Sequence, residues 1–299
     1  MARIALKVDV DTLRGTREGV PRLLDVLARL GVRATFLFSL GPDHTGWALR
    51  RVFRPGFLSK VSRTSVVKHY GLRTLMYGVL LPAPDIGLVA AGPMRAARSA
   101  GHECGIHTWD HVVWHDQVRG RDEAWTRGQM RLAFERFSDI FGQAPTTHGA
   151  AGWQMNPSAF RQIDDWGMPY ASDGRGQRPY RISVEGQTLA HVQLPTTLPT
   201  LDEVLGHDGI DEQNVARSLL ALTDCDVDQV FTLHAELEGG LLAPAFEALL
   251  RGWQAQGHEL VSLATLYEHI DTASLPTIPL TWGSVRGRSG ELIVAADGL

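Results

Sequence analysis

The sequence predicts an α/β fold in which parallel strands are covered by helices, as either an open sheet or a closed barrel. Short strand-like segments alternate with helical segments along most of the 299 residues. In addition, polar residues that could carry chemistry directly follow several strand-like segments, as they do at the carboxyl ends of strands in α/β enzymes. We interpret most of the chain as one domain, since α/β barrels commonly use this many residues as one unit.

The first strand, helix and second strand are expected before residue 40. Apolar side chains alternate over 4–8 and predict a strand that leads directly into Asp9-Val10-Asp11. A helix is expected from Pro21 to Leu30, with Gly31 ending it, and a second strand at 33–38. These elements make one βαβ unit, which favours a parallel sheet.

The same alternation returns after residue 85 and continues to about residue 270. The predicted helices end at Ala100, run from about Asp122 to Phe141, run from Leu242 to Gln256, and end at about Ile270. Strands are expected before His107 and at 146–150, 168–172, 190–194, 229–234 and 259–262. Residues 271–299 lack this periodicity and are expected to form a tail or peripheral extension beyond a domain that spans 1–270.

Composition argues against several classes of protein. The chain is 44% hydrophobic and 21% charged, which is typical of a folded soluble protein. Two cysteines are too few for a disulfide scaffold, and a net charge of −4 does not predict nucleic-acid binding. The N-terminal segment becomes charged too early for a signal peptide, and no stretch approaches 18 apolar residues, so neither secretion nor a transmembrane helix is expected.

Three groups of polar residues are candidates for a metal or catalytic site. Asp9 and Asp11 are two residues apart, so their carboxylates project to the same side of an extended backbone. His107 and His111 are four apart, a spacing that in a helical turn brings two imidazoles to one ion. His234 follows the apolar strand-like segment at 229–233. Acids that form turns and histidines that are simply buried and hydrogen bonded are the alternatives, while His115 is expected at the rim rather than as a ligand.

These motifs resemble those of the polysaccharide deacetylases, also called the NodB-homology family, whose fold is a distorted (β/α) barrel. Residues His107 to His111 match that family's His-[Ser/Thr]-x-x-His motif. The resemblance implies one divalent metal ion bound by Asp11, His107 and His111, with Asp9 as the general base and His234 as the general acid. Zinc is the ion expected first, with cobalt, nickel, manganese or iron as alternatives.

Longer segments are similar to a branch of the family that removes the formyl group from 4-deoxy-4-formamido-L-arabinose carried on undecaprenyl phosphate. In that branch, the resulting 4-amino sugar lipid serves lipid A modification and polymyxin resistance. The resemblance covers roughly residues 1–270. The segments that carry it are Val8-Asp9-Val10-Asp11-Thr12, Arg14-Gly15-Thr16-Arg17-Glu18-Gly19-Val20-Pro21, Ala150-Ala151-Gly152-Trp153, Leu194-Pro195-Thr196-Thr197-Leu198-Pro199-Thr200 and His234-Ala235-Glu236.

One motif departs from the family's general pattern. The arginine that orients the general base is absent, and Ala150-Ala151-Gly152-Trp153 stands in its motif. We predict that Arg175 replaces it and that Asp173 is the acid that tunes the catalytic histidine, although an ordinary loop ion pair is the alternative for both. Glu236 is expected to orient His234 or to contact substrate, the alternative being an exposed acid.

A basic segment interrupts the predicted barrel at about 42–85. Between Asp43 and Asp85 there is no acidic residue, while aromatic and aliphatic side chains are interleaved with seven cations, a pattern expected at an anionic membrane surface. The cations are Arg50, Arg51, Arg54, Lys60, Arg63, Lys68 and Arg73. A solvated basic face is the alternative. We therefore expect a peripheral protein on the cytoplasmic face of the bacterial inner membrane, without a nucleic-acid partner.

Two other functions remain compatible with these patterns. The first is deacetylation of another N-acylated glycan or of a small amide, because the motif residues do not define the acyl group or the sugar. The second is a noncatalytic barrel that binds lipid through the basic segment. The complete set of metal-binding and proton-transfer residues argues against the second alternative.

Overall fold

A parallel sheet forms the centre of the fold. The computed structural model describes residues 2–52 and 71–295, and the side chains of 2–48 and 71–295. Within these residues the strands are β1 (Arg3–Val10), β2 (Thr35–Ser39), β3 (Glu103–Thr108), β4 (Tyr170–Ala171), β5 (Tyr180–Val184), β6 (Gln187–Gln193), β7 (Gln229–His234), β8 (Glu259–Val261), β9 (Thr277–Pro279), β10 (Trp282–Gly283) and β11 (Leu292–Ile293). The order β3-β2-β1-β7 is parallel throughout, and β8 pairs in parallel with the first residues of β1.

Helices follow or precede most of these strands. They are α1 (Val20–Leu30), α2 (Thr45–Val52), α3 (Leu72–Met76), α4 (Ile86–Val89), α5 (Ala91–Ser99), α6 (His111–Gln117), α7 (Glu123–Phe141), α8 (Pro157–Asp165), α9 (Leu201–Val204), α10 (Val215–Leu220), α11 (Ala243–Ala255) and α12 (Leu263–Glu268). A π-helical turn, Gly15–Gly19, precedes α1. None of the helices within the described residues is long and apolar enough to cross a membrane.

Irregular segments close the sheet into a distorted barrel. His148 makes a single parallel bridge to Ile106 of β3, and its carbonyl then accepts a hydrogen bond from the Ser172 backbone N–H, next to β4. β4 pairs with β6, and the chain that continues from β6 returns to β7 through the hydrogen bond from the Thr197 N–H to the Val230 carbonyl, at 3.0 Å. The predicted α/β barrel is therefore confirmed, with one isolated bridge and individual backbone hydrogen bonds in place of regular strand pairing where it closes.

Alternation along β1 separates the interior of the barrel from the layer of helices. Ile4, Leu6, Val8 and Val10 belong to the main apolar core that packs beneath the helices. Ala5 instead belongs to a second apolar cluster, shared with side chains of β6, β7 and β8. Since side chains alternate in a strand, Lys7 and Asp9 face the barrel interior as Ala5 does. Apolar residues thus fill the amino end of the barrel, and charged residues line its carboxyl end.

The predicted elements are confirmed where the periodicity is regular. The strand predicted at 229–234 is β7, and the long predicted helix is α7, which begins after its N-cap residue Asp122 and ends before Gly142. The prediction of a strand at 146–150 was wrong, because that segment makes only the His148 bridge before turning into the short helical segment at 151–153. Helix α8 and strand β5 were not predicted.

Residues 271–295, here called the C-terminal arm, pack on the barrel instead of leaving it as a tail. β9 pairs in parallel with β5, and β10 pairs with β11. The Arg175 N–H donates to the Ile293 carbonyl at 2.9 Å, and the Ala295 N–H donates to the Arg175 carbonyl at 2.8 Å. The arm is therefore fixed to the loop that follows β4.

Candidate metal and catalytic site

Asp11, His107 and His111 come together at the carboxyl end of the barrel. One ligand atom from each side chain lies within 4.8 Å of the other two. Asp11 Oδ1 is 3.2 Å from His107 Nε2, and Asp11 Oδ2 is 3.5 Å from His111 Nε2. Among the described residues, Asp11 Oδ1 is a buried oxygen without a hydrogen-bond partner. One carboxylate and two imidazoles are a donor set that suits a divalent metal ion. A bound ion would also satisfy the buried Asp11 oxygen that has no hydrogen-bond partner.

The charges at this site also favour a cation. Burial alone would raise the pKa of Asp11, but the imidazoles of His111 and His107 hold it well below its usual range. Burial alone would lower the pKa of His107, but the carboxylates of Asp9 and Asp11 raise it above its ordinary value. The two carboxylates thus favour positive charge at this site, and a bound metal ion can supply that charge.

The two histidines reach the site from different elements. His107 lies in β3, whereas His111 is the first residue of α6, whose N-cap is Asp110. Their rings lie 5.4 Å apart between centroids. The prediction that they share a helical turn was therefore wrong in its geometry, although the two imidazoles do meet. His107 Nδ1 lies 2.6 Å from the carbonyl oxygen of Gly149. When Nδ1 donates its N–H to that oxygen, the ring is fixed and Nε2 is left for a metal.

Asp9 is held by a lysine that the sequence did not single out. Lys7 Nζ donates to Asp9 Oδ2 at 2.9 Å, and both side chains are buried. Asp9 Oδ1 lies 3.8 Å from His107 Nδ1 and has no hydrogen-bond partner among the described residues. Arg175, predicted to orient Asp9, instead donates to Glu203 Oε1 and to two backbone carbonyls, so that prediction was wrong. The i, i+2 spacing of Lys7 and Asp9 was the signal that could have found the true partner.

His234 is the last residue of β7 and is in register with Asp9 on the neighbouring strand. Its backbone N–H donates to Glu238 Oε2 at 2.8 Å, and its Nδ1 faces Asp202 Oδ1 at 3.8 Å. Asp173, predicted to tune His234, is instead paired with His148 Nδ1 at 2.6 Å, and Asp202 is the carboxylate that faces Nδ1 of His234. Its position could not be read from the sequence, since Asp202 lies 32 residues before His234.

Glu236 binds the backbone beside the metal ligands rather than His234. Its Oε1 accepts from the Asp11 N–H at 3.0 Å, from the Thr12 N–H at 2.7 Å and from the Thr12 hydroxyl at 2.7 Å. A Cβ at Gly15 would lie 1.9 Å from this same oxygen, which explains the glycine in the motif that follows the acid pair. Burial and the charge of Asp11 raise the pKa of Glu236 well above its ordinary value.

Trp153 is the last residue of the segment Ala150-Ala151-Gly152-Trp153, which stands in place of the family's arginine-containing motif. Its backbone φ is 53°, an unusual value for a residue with a side chain, and its indole N–H donates to the Thr196 hydroxyl at 3.1 Å. Three cations lie near its buried ring: Lys7 at 5.3 Å, Arg175 at 5.0 Å and Arg288 at 4.8 Å from the centroid. The ring therefore lies close both to the lysine that holds Asp9 and to an arginine from the C-terminal arm.

Most of the predicted lipid-contact cations cannot be placed. Arg54, Lys60, Arg63 and Lys68 lie outside the described residues, and Arg50 and Arg51 lie in α2 without described side chains. Arg73 is exposed in α3. It lines a cavity of about 290 Å³ together with Arg17, Leu13, Tyr77, Leu81, Pro82, Pro84 and Val89. Because Leu13 follows Asp11 by two residues, this cavity lies beside the metal-binding loop.

Comparisons with known proteins agree with this geometry. The polysaccharide deacetylase family model matches residues 3–171. A relative from Shewanella sediminis, named "Probable 4-deoxy-4-formamido-L-arabinose-phosphoundecaprenol deformylase ArnD", is 35% identical over 91% of this chain and 88% of its own. A relative of the same name from Wigglesworthia glossinidia brevipalpis is 29% identical over 92% of this chain and 96% of its own.

The fold is shared with solved structures as well. A polysaccharide deacetylase from Mycobacterium smegmatis superimposes with a TM-score of 0.63 at 19% identity, covering 95% of both chains. An identity of 19% supports a shared fold alone. The match to the family model and the 35% identical relative support membership of the family at the level of sequence. The chain belongs to the polysaccharide deacetylase family of metal-dependent amide hydrolases.

Proposed function

We propose that this enzyme hydrolyses the formamide of 4-deoxy-4-formamido-L-arabinose linked to undecaprenyl phosphate, giving formate and the 4-amino sugar lipid. The observation that carries the proposal is the Asp11–His107–His111 cluster beside Asp9 and His234, in a chain that is 35% identical to a relative named for this substrate. The names of both relatives supply the sugar and the lipid. Use of the product in lipid A modification and polymyxin resistance is part of the same proposal.

A divalent ion held by Asp11, His107 and His111 would supply Lewis acidity toward the formyl oxygen and would acidify water. Asp9 is placed to accept the proton of the attacking water. Lys7 holds Oδ2 of Asp9, so that Oδ1 is the atom left for the proton. Because both Lys7 and Asp9 are buried, the carboxylate has little freedom to rotate away.

His234 is placed to protonate the departing amine. It is the register partner of Asp9, since β7 pairs with β1. β7 lies on one side of β1, and β2 and β3 lie on the other, with His107 in β3. As the C–O bond to the formyl carbon forms and the C–N bond breaks, the nitrogen of the sugar needs a proton. Asp202 Oδ1 lies 3.8 Å from Nδ1 of the His234 imidazole, so Nε2 is the ring nitrogen left to deliver that proton.

Formate release from the lipid-linked sugar tests this proposal. Metal-free protein is reloaded with zinc, cobalt, nickel, manganese or iron and assayed against a synthetic formamido-arabinose polyprenyl phosphate. We expect formate only with metal, and losses of about 10²- to 10⁴-fold in Asp9→Asn and His234→Ala, the range of a general acid or base. His111→Ala should also lose bound metal. Formate released at the wild-type rate by Asp9→Asn would contradict the assigned roles.

Zinc is the ion we propose first. Imidazole and carboxylate ligands suit zinc and also accept cobalt, nickel, manganese or iron, so the ligand set does not select one of them. Metal analysis of protein purified without added metal, together with the activity of each reloaded form, identifies the ion used. An abundant ion that binds but gives no activity would exclude that ion.

We also propose that the face around α3 and α4 contacts an anionic membrane. Leu72, Val79, Leu80 and Leu88 expose 65%, 54%, 77% and 70% of their surfaces. Arg73 and Arg17 line the adjoining cavity beside the metal-binding loop. Apolar side chains next to cations are what an interface with anionic lipid requires, and this face would bring a membrane-bound sugar to the site. Its location on the cytoplasmic face of the inner membrane belongs to the same proposal.

Sedimentation with liposomes tests the membrane contact. Leu80→Asp combined with Leu88→Asp should abolish binding to vesicles that contain phosphatidylglycerol, because each change places a carboxylate at the lipid surface. Leu222→Asp is the matched control, since Leu222 is also exposed, at 52%, but lies in the turn after α10. Equal binding by both variants would contradict the proposed face.

The same protein and substrates distinguish this proposal from two alternative functions. A deacetylase of another N-acylated glycan would release acetate from N-acetylated sugars faster than formate from the lipid-linked formamide. A noncatalytic lipid-binding barrel would bind the formamido lipid and release nothing with any metal. The buried Lys7–Asp9 pair and the metal ligands favour catalysis over the second alternative.

A further inference from the structure

Arg288 of the C-terminal arm contacts the Asp202 carboxylate through two guanidinium nitrogens. Its Nη1 lies 3.2 Å from Asp202 Oδ2, and its Nη2 donates to Asp202 Oδ1 at 3.3 Å. The Thr200 hydroxyl also donates to Oδ1, at 2.6 Å. This paired contact of a guanidinium with a carboxylate fixes the plane of the acid as well as its position. The acid fixed in this way is the one that faces His234 Nδ1.

The arm is shaped to bring Arg288 to this place. Gly287 has a φ of 86°, and a Cβ there would lie 2.4 Å from the backbone oxygen of Glu203. Arg288 Nε donates to Glu203 Oε1 at 2.8 Å, an oxygen that Arg175 also contacts. The guanidinium further lies 4.8 Å from the centre of the Trp153 ring. The backbone of the arm at Gly287 thus packs directly against the backbone of α9 at Glu203. This contact brings the Arg288 side chain to Asp202.

Arg286, also in the arm, forms a surface ion pair and provides a comparison for Arg288. Arg286 pairs with Asp208 at 2.6 Å, and the two side chains are 77% and 62% exposed. Such a pair contributes little to stability and does not reach the site. Arg288 is only 23% exposed, and its partners lead directly to His234.

We infer that Arg288 is a positioning residue for proton delivery, holding Asp202 against Nδ1 of His234 so that the imidazole presents its other nitrogen to the departing amine. The inference rests on the assignment of His234 as general acid under the proposed function. It gives residues 271–295, which the sequence marked only as an extension, a part in the reaction. Within the described part of the chain, the charged groups near His234 include Asp202 from α9, Glu238 after β7, Asp11, and Asp9 in register on β1.

The test compares an amide with an ester in Arg288→Met. An amine leaves as a protonated group, whereas 4-nitrophenolate leaves from 4-nitrophenyl acetate without a proton. Formate release from the formamido lipid, and in parallel from N-formylglucosamine, should fall about 10- to 100-fold, the cost of a misplaced catalytic group. Hydrolysis of the ester by the metal-loaded enzyme should stay at the wild-type rate, and KM for the amide should not change.

Matched variants separate positioning from general stability. Arg286→Met should match wild type in both reactions. Gly287→Ala should lower the amide rate selectively, while Gly290→Ala should not, since both glycines have positive φ but nothing lies near a Cβ at Gly290. Arg288→Lys should recover part of the amide rate. Asp202→Asn supplies the same comparison if Arg288→Met does not fold, and should show the same selective loss.

Equal losses of amide and ester hydrolysis in Arg288→Met and Asp202→Asn, or no loss in either reaction, would overturn the inference. The proposed function fails separately. If wild type released no formate from the lipid-linked sugar but hydrolysed N-formylglucosamine, the substrate would be wrong, and the amide-to-ester ratio would still decide the role of Arg288.

Discussion

Replacing Lys7 by methionine should damage both stability and catalysis, because it removes the cation from a buried ion pair. The Lys7 and Asp9 side chains are 0% and 4% exposed, and their charged atoms are 2.9 Å apart. Methionine keeps most of the length of the lysine stem, which packs closely on Gly149. The substitution therefore leaves the Asp9 carboxylate in place but without its partner.

The expected loss of stability follows from the surroundings of Asp9. Removing one member of a buried pair typically costs about 3–5 kcal/mol. The lower end applies here, since His107, whose pKa is raised by Asp9 and Asp11, lies 3.8 Å from the other oxygen. At about 2.1 cal/mol/K of unfolding entropy per residue, 299 residues give about 0.6 kcal/mol/K. A loss of about 3 kcal/mol then lowers Tm by roughly 5 °C.

A double-mutant cycle provides the assay. Urea unfolding and thermal melts of metal-free wild type, Lys7→Met, Asp9→Asn and the double variant measure whether the two changes interact. We expect the double variant to be more stable than Lys7→Met, because neither charge is then buried alone. In the metal-loaded enzyme, Lys7→Met should lower kcat/KM about 10- to 100-fold by releasing Asp9, the proposed general base, from its orientation. Additive losses of stability, with unchanged turnover, would refute the reasoning.

Three further predictions concern other parts of the chain. Glu236→Ala should weaken metal binding by about 10- to 100-fold in a chelator competition, because its carboxylate fixes the backbone of Asp11. Burial lowers the pKa of His102 to about 4, so stability present above pH 6.5 should be lost as pH falls toward 4, by up to about 3 kcal/mol. His102→Asn should flatten that dependence in urea unfolding. Cys225 is exposed and should react with a thiol reagent in the folded protein, whereas Cys104, buried and with its pKa raised to about 12, should react only on unfolding.

The sequence predicted the features that depend on local pattern. Alternation over 4–8 placed Asp9 and Asp11 at the end of β1, and the apolar run at 229–233 placed His234 at the end of β7. Parallel pairing then brings such strand ends to one edge, so the metal ligands met as expected. The same logic failed at 146–150, where the chain makes one bridge to β3 instead of a strand.

The residues that the sequence did not indicate are those whose role depends on distant partners. Asp202 and Arg288 are 86 residues apart, and nothing in either neighbourhood shows that they meet. The sequence assigned catalytic supporting roles to Asp173 and Arg175, which are two residues apart. In the structure, Asp173 pairs with His148, and Arg175 pairs with Glu203. Helix α8 was missed although Asn156 caps it and Pro157 opens it, a start signal that the sequence does contain.

The replacement of the family's arginine can be understood from the three cations around Trp153. Each of them carries its own carboxylate: Lys7 holds Asp9, Arg175 holds Glu203 and Arg288 holds Asp202. Three like charges near one ring would repel one another if they were unpaired, but paired cations can share the electron-rich faces of an indole. The ring thus lies close both to Lys7, which holds Asp9, and to Arg288, which holds the acid that faces His234. Because Lys7 already neutralises Asp9, this chain does not need an arginine in the third motif for that purpose.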